Sequence, residues 1–129
     1  MLQKAQMVKA KQAARRAQES LYDGVCSVIE YKAVTDKKTK VTRHQEVTVL
    51  EDQPCRLSFE KKAVAVQTDT AAAVSQGVRL FVSPEVDIKS GSKIVVTQNG
   101  KTVEYKASGE PAVYFTHQEI ELELFKEWA

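Results

Sequence analysis

Few side chains in this sequence have the type and spacing to do chemistry. There are two histidines, His44 and His117, and two cysteines, Cys26 and Cys55, in 129 residues. An imidazole serves as a general base when a nucleophile and an orienting group lie beside it. His44 follows Arg43 inside an alternating run and His117 lies between two such runs, so neither has a partnered nucleophile in its pattern. Glu119, Glu121 and Glu123 recur at every second position. On a strand that spacing gives a row of carboxylates about 6–7 Å apart, the mark of a solvated sheet face rather than of an acid–base pair. The cysteines are far from each other and from both histidines, so the ligand spacing of a zinc site is missing. They would pair only if two strands brought them together, and otherwise behave as small buried hydrophobes. Gly-rich phosphate loops and the H-E-x-x-H, G-x-S-x-G and C-x-x-C motifs are absent. The expectation is a non-enzyme with no cofactor and no structural metal.

Charge is more informative than chemistry. The formal net charge is +2, but residues 1–20 hold five bases (Lys4, Lys9, Lys11, Arg15, Arg16) against Glu19, and the remainder holds 14 bases and 16 acids. Such an asymmetry points to an acidic counterpart for the first segment. From Leu2 to Ser20 there is no Gly, Pro or Thr, and Val8 is the one β-branched residue, which predicts a helix. Leu2, Met7, Ala10, Ala13, Ala14, Ala17 and Leu21 share a broad face between basic stripes. An alanine-rich face buries little area and an isolated helix of this length is marginal in water, so it needs a surface to dock on, in its own chain or in a neighbour.

After Asp23-Gly24 the period becomes two. Strands are expected at 25–34, 41–50, 54–59, 78–82, 86–88, 93–97, 102–106, 112–116 and 119–124, with a charged hairpin tip at 35–40. Asn99-Gly100 is a strong type I′ turn signal, because that turn needs positive φ at both central positions. Residues 60–77 break the rhythm; they read as a loop too long for an ordinary connection, or as a loop holding a short helix across Thr70–Ser75. The fold class expected is mainly β: one small antiparallel barrel of about seven strands, of SH3- or OB-like size, preceded by an N-terminal α-helix. Residues 1–20 would be a docking helix and 21–129 the barrel domain. No stretch is apolar enough for a membrane span, and the N-terminus lacks the apolar core of a signal peptide.

Two function classes suit such a barrel. An OB-like single-stranded nucleic-acid binder needs aromatic platforms in a basic groove, but the aromatics are few and the barrel portion is slightly acidic. An assembly protein accounts for more: a helix that cannot bury itself, a long polar loop, and an aromatic tail with Phe125 and Trp128. A terminal Trp is costly to leave in water and should find a pocket in its own chain or a neighbour's.

The runs Leu21-Tyr22-Asp23-Gly24-Val25-Cys26-Ser27-Val28, Pro54-Cys55-Arg56-Leu57-Ser58-Phe59 and Ile88-Lys89-Ser90-Gly91-Ser92-Lys93-Ile94, with the Gly109-Glu110-Pro111 turn, resemble the small neck proteins of tailed phages. The similarity is greatest to head-closure (stopper) proteins of contractile phages and phage-like elements of Gram-positive bacteria. It runs over nearly the whole chain in element order, on structural motifs that carry no diagnostic chemistry. The resemblance implies a virion subunit, assembled in the bacterial cytoplasm, that forms a six- or twelve-membered ring with itself. That ring joins the portal and adaptor proteins of the head to a tail terminator or tail-completion protein. Genomic double-stranded DNA passes through without sequence-specific binding, and no membrane is involved. By position, residues 60–77 match the loop that closes the channel, with Val64, Val66, Gln67, Thr68, Asp69, Thr70 and Ala72 as its candidate plug and the tip 35–40 as a rival. Lys4, Lys9, Lys11, Arg15 and Arg16 would dock on an acidic neighbouring ring, and Phe125, Trp128, Lys37 and Lys38 are candidate inter-subunit contacts. An adaptor or tail-completion protein of the same neck is the alternative.

Overall fold

Alternating branched and polar side chains from Gly24 onward fold as antiparallel strands. The computed structural model describes residues 4–63 and 74–128, with the backbone alone for 61–63 and 74–76. Helix α1 (Lys4–Glu19) precedes strands β1 (Gly24–Thr35), β2 (Thr42–Ala63), β3 (Val74–Val82), β4 (Lys93–Gln98), β5 (Lys101–Val113) and β6 (Gln118–Leu124). They form a closed barrel in the order β1-β2-β3-β6-β5-β4, with β4 pairing back onto β1. The expected small antiparallel barrel behind an N-terminal helix is therefore what the chain adopts.

The strand count differs from the alternation for physical reasons. Segments 41–50 and 54–59 are one strand, β2. Two register shifts against β1, between Cys26 and Ile29, place extra residues on β2, and Asp52 takes a positive φ of 52°. Bulges bend a strand and sharpen its twist without ending it, which lets β2 turn the barrel's corner. Segment 102–106 and the start of 112–116 likewise merge into β5 across an irregularity between Ser108 and Ala112 that holds Gly109 and Pro111. Segment 86–88 is not a strand. It belongs to a connection that crosses the barrel wall's end, where Ile88 is buried and the Gln118 side chain donates to the carbonyls of Ser83 (2.8 Å) and Val86 (2.5 Å). That amide does there what a neighbouring strand would otherwise do.

The core is made of inward positions from all six strands, among them Cys26, Val28, Cys55, Leu57, Leu80, Val82, Ile94, Val96, Ile120 and Leu122. Tyr105 is the one aromatic among the buried core residues. Phe59 follows Cys55 and Leu57 on the same face yet is exposed; it lies opposite Val78, the last β3 residue that pairs with β6, at the barrel's open end. Gly24 starts β1 in a close approach: a Cβ there would meet Gln98 Oε1 at 3.0 Å and the carbonyls of Cys55 and Thr97 at 3.2 Å. Gln98 Oε1 itself accepts the Leu57 N–H at 2.8 Å, sealing β2 where β1 has not yet begun. Asn99 and Gly100 have φ of 53° and 75°, as the hairpin turn requires.

Two hairpins outrun the barrel. β1 leaves β4 after Ile29 and continues with β2 alone, from Glu30↔Val47 to Thr35↔Thr42. β2 and β3 continue past Val78 with Glu60↔Gly77, Lys61↔Gln76, Lys62↔Ser75 and Ala63↔Val74. The expected loop 60–77 is thus corrected at both ends to paired strand, including Val74 and Ser75 of the alternative helix. Its small and polar residues conceal a ladder held by backbone hydrogen bonds. Val64, Val66, Gln67, Thr68, Asp69, Thr70 and Ala72 lie outside the described residues.

Candidate functional site

The helix, the β1–β2 ribbon and the β5–β6 turn carry the exposed groups that chemistry or recognition would use. No residue of α1 is buried. Its alanine face gives too little apolar area to seat it, and the anchor is polar instead. Arg15 Nη1 lies 2.6 Å from Glu85 Oε1, its Nη2 donates to Ser83 Oγ at 2.6 Å, and its Nε donates to Glu19 at 3.1 Å. The hydrogen bond from Arg15 holds the Glu85 carboxyl below the usual carboxylate range, with the guanidinium's charge adding to it. Lys11 Nζ sits 5.9 Å from the centre of the Phe115 ring. Of the five candidate docking cations, Arg15 is thereby engaged within the chain, while Lys4, Lys9 and Arg16 are exposed on α1.

At the ribbon's base the aromatic tail finds a seat in its own chain. Trp128 stacks on Tyr31 at 5.2 Å and 12°, and Phe125 meets Trp128 edge-on at 5.0 Å. Tyr31 in turn lies 5.7 Å from the His44 ring across the ribbon. Lys93 ties the parts together: its ammonium lies 2.7 Å from Glu46 and 2.9 Å from Glu104, and 4.7 Å from the Phe125 ring centre. Those two hydrogen bonds, Glu46 first, raise its pKa and keep it charged. The groove beside this brace, about 940 Å³, is lined by residues including Tyr31, His44, Trp128, Lys89 and Lys106. Lys37 and Lys38 stand at the other end, on the exposed tip.

The β5–β6 turn holds a hydroxyl–imidazole–carboxylate line. Thr116 Oγ1 is 2.9 Å from His117 Nδ1, and His117 Nε2 is 3.1 Å from Glu119 Oε2. A catalytic triad also needs a substrate cavity and donors for a developing oxyanion. Here the Tyr114 ring stacks over the imidazole at 5.0 Å, Phe81 meets its edge, and Glu119 is shared with Arg79. The arrangement pins the turn. Glu121 lies opposite Arg79 and Ser108, and Glu123 opposite Lys106, so bases interleave the carboxylate row across the sheet.

The two thiols do come together. Cys26 and Cys55 are free and buried on neighbouring strands β1 and β2, and the Cys26 thiol together with burial pushes the Cys55 thiol far up. No group of three or more His, Cys, Asp or Glu among the described residues is arranged to hold a metal. No helix among them is long and apolar enough to cross a membrane. Sequence reasoning missed Gln98, Gln118, Lys93, Glu85 and Tyr31. The signal for all five lies in partners distant along the chain, except that Tyr31 stands out as the one large aromatic among the small, branched and polar residues of the ribbon.

No family model and no curated protein matches the chain. Among solved structures it is similar to the protein xkdH of the phage-like element PBSX of Bacillus subtilis, with a TM-score of 0.48 and 15% identity over 78% of this chain and 91% of that one. A likeness that loose describes a general outline and assigns neither family nor function.

Proposed function

We propose that this chain is a non-enzymatic structural subunit of a tailed-phage or phage-like particle, acting in the neck as a head-closure ring between the head's portal and adaptor and the tail. The observation that carries the reading is a 16-residue helix that buries none of its side chains. A helix of that length is marginal in water by itself, so it gains its full stability on another surface. Its remaining exposed cations, Lys4, Lys9 and Arg16, suit an acidic one. The sequence resemblance supplies the biological setting, and by order of elements it matches the β2–β3 connection to a channel-closing loop.

The reading is tested with DNA-filled, tailless heads of the cognate particle. Added protein should bind them, restore tail attachment and retain DNA. A chain lacking residues 1–20 should fail to bind although its barrel is folded. A chain lacking residues 61–76 should bind but leak DNA. Tail joining by the 1–20 deletion would sink the docking role, and DNA retention by the 61–76 deletion would sink the plug role. If the intact protein neither binds heads nor appears in purified particles by electron microscopy, the neck assignment is wrong.

A further inference from the structure

Charge segregates by element more sharply than the two ends of the sequence suggest. Residues 4–19 carry five bases and one acid, residues 32–43 carry five bases and one acid, and everything else carries nine bases and fifteen acids. An acidic barrel thus bears two basic projections. Within the second, Asp36 is occupied in shaping the turn: its Oδ1 accepts the N–H groups of Lys38 (2.7 Å) and Thr39 (3.4 Å). Lys32 lies 3.3 Å from Glu30. Lys37, Lys38, Lys40 and Arg43 are exposed, and none forms an ion pair among the described residues.

These four charges stand on a slender support. The free part of the ribbon runs six residue pairs, Glu30↔Val47 to Thr35↔Thr42, or about 20 Å at 3.4 Å per residue. The Trp128–Tyr31 stack and the Lys93–Glu46 pair brace its base. A two-stranded ribbon is one of the elements that the major groove of B-DNA, about 12 Å wide, admits. We propose that the tip of the β1–β2 ribbon binds duplex DNA through its phosphates, without regard to sequence.

Two arguments favour DNA over an acidic protein. Three of the four unpaired cations are Lys, a flexible point charge, rather than the planar fork that grips a carboxylate in two places. Exposed Lys–carboxylate pairs contribute only about 0–1 kcal/mol each, so four of them hold a protein only with added apolar contact, which α1 can supply from its alanine face and four cations on a two-stranded tip do not supply by themselves. On a duplex, each neutralised phosphate releases condensed counterions, so the same four charges act together. The acidic remainder of the barrel repels the duplex and keeps it off the barrel wall. The proposal adds a DNA-touching element to the neck reading but stands without it, because the isolated protein is what is tested.

Fluorescence anisotropy of two unrelated 20-base-pair duplexes should show equal affinities at 50 mM salt. Four phosphate contacts imply a fall of roughly 100-fold by 200 mM. Reversing the tip charges (K37E/K38E/K40E/R43E), with K37Q/K38Q/K40Q/R43Q as the milder form and circular dichroism to confirm folding, should weaken binding at least tenfold. K4E/K9E/R16E should leave it within about threefold. Absence of duplex binding at 50 mM salt overturns the proposal. So does loss confined to the helix variant, tighter binding of single strands, or tip variants that bind DNA normally and lose an acidic protein partner instead.

Discussion

Cys26 and Cys55 show how position converts a reactive residue into an inert one. Each is almost fully buried, and the Cys55 thiol is pushed up by the neighbouring Cys26 thiol and by desolvation. Nucleophilic sulfur is thiolate, so burial shields both thiols and protonation further suppresses Cys55. Iodoacetamide at neutral pH should therefore leave both thiols unmodified in the folded protein and label both in denaturant, read by mass spectrometry. Fast native labelling of Cys55 would contradict the packing. Glu85 illustrates the opposite sign of shift. Its folded pKa lies below the ordinary carboxylate value because Arg15 stabilises the charged form. The tether then contributes fully above the unfolded pKa and is lost as pH falls through the depressed folded value. Protection factors in the last turns of α1, taken relative to the intrinsic amide exchange rate at each pH, should fall on acidification from pH 7 to about 3, and E85Q should show the lower protection already at pH 7. Equal protection in E85Q and the parent would remove the tether from the account. Neither pair was readable from sequence, because Arg15 and Glu85, like Cys26 and Cys55, meet only once distant segments converge.

At the scale of elements, alternation located the strands and turns chemistry located their ends, while bulges decided which segments join. The Asn99-Gly100 turn follows from local sterics and was legible. β2 was not legible as one strand, because Glu51-Asp52-Gln53 reads as a polar break when its register with β1 is unknown. The close approach at Gly24 is a constraint of the same tertiary kind. Gly24→Ala should lower stability by about 1–3 kcal/mol, since a Cβ there presses on two backbone carbonyls; an unshifted midpoint in urea would show that β4 yields easily. The C-terminal brace makes its own prediction. Trp128→Ala removes the ring stacked on Tyr31 and should cost about 1–2 kcal/mol while leaving the barrel's circular dichroism intact. A loss of barrel structure would mean that the tail belongs to the core.

At the scale of the whole molecule, every buried hydrophobic among the described residues comes from the strands or from the 83–92 connection, and none from α1. Deleting residues 1–20 should therefore keep the barrel, with a thermal midpoint within a few degrees of the parent's and the helical part of the far-ultraviolet spectrum lost. Collapse of the truncated chain would show the helix to be part of the fold.

The sequence by itself determined what acts over short range. The Lys- and Ala-rich stretch makes the helix, two-residue periodicity and Asn99-Gly100 make the hairpins, and the absence of chemical motifs removed most enzymatic readings. Its charge arithmetic also separated a basic segment from an acidic remainder, and the pattern marked 35–40 as a charged hairpin tip, though the basic excess of the whole 32–43 ribbon was summed into that remainder. Only the tertiary structure decided closure of the barrel, the reach of both hairpins beyond it, the polar seat of α1 and the self-contained seat of Trp128. Those outcomes depend on register between strands distant in the chain. Register shifted by one residue turns every side chain to the opposite face, and local pattern does not encode it.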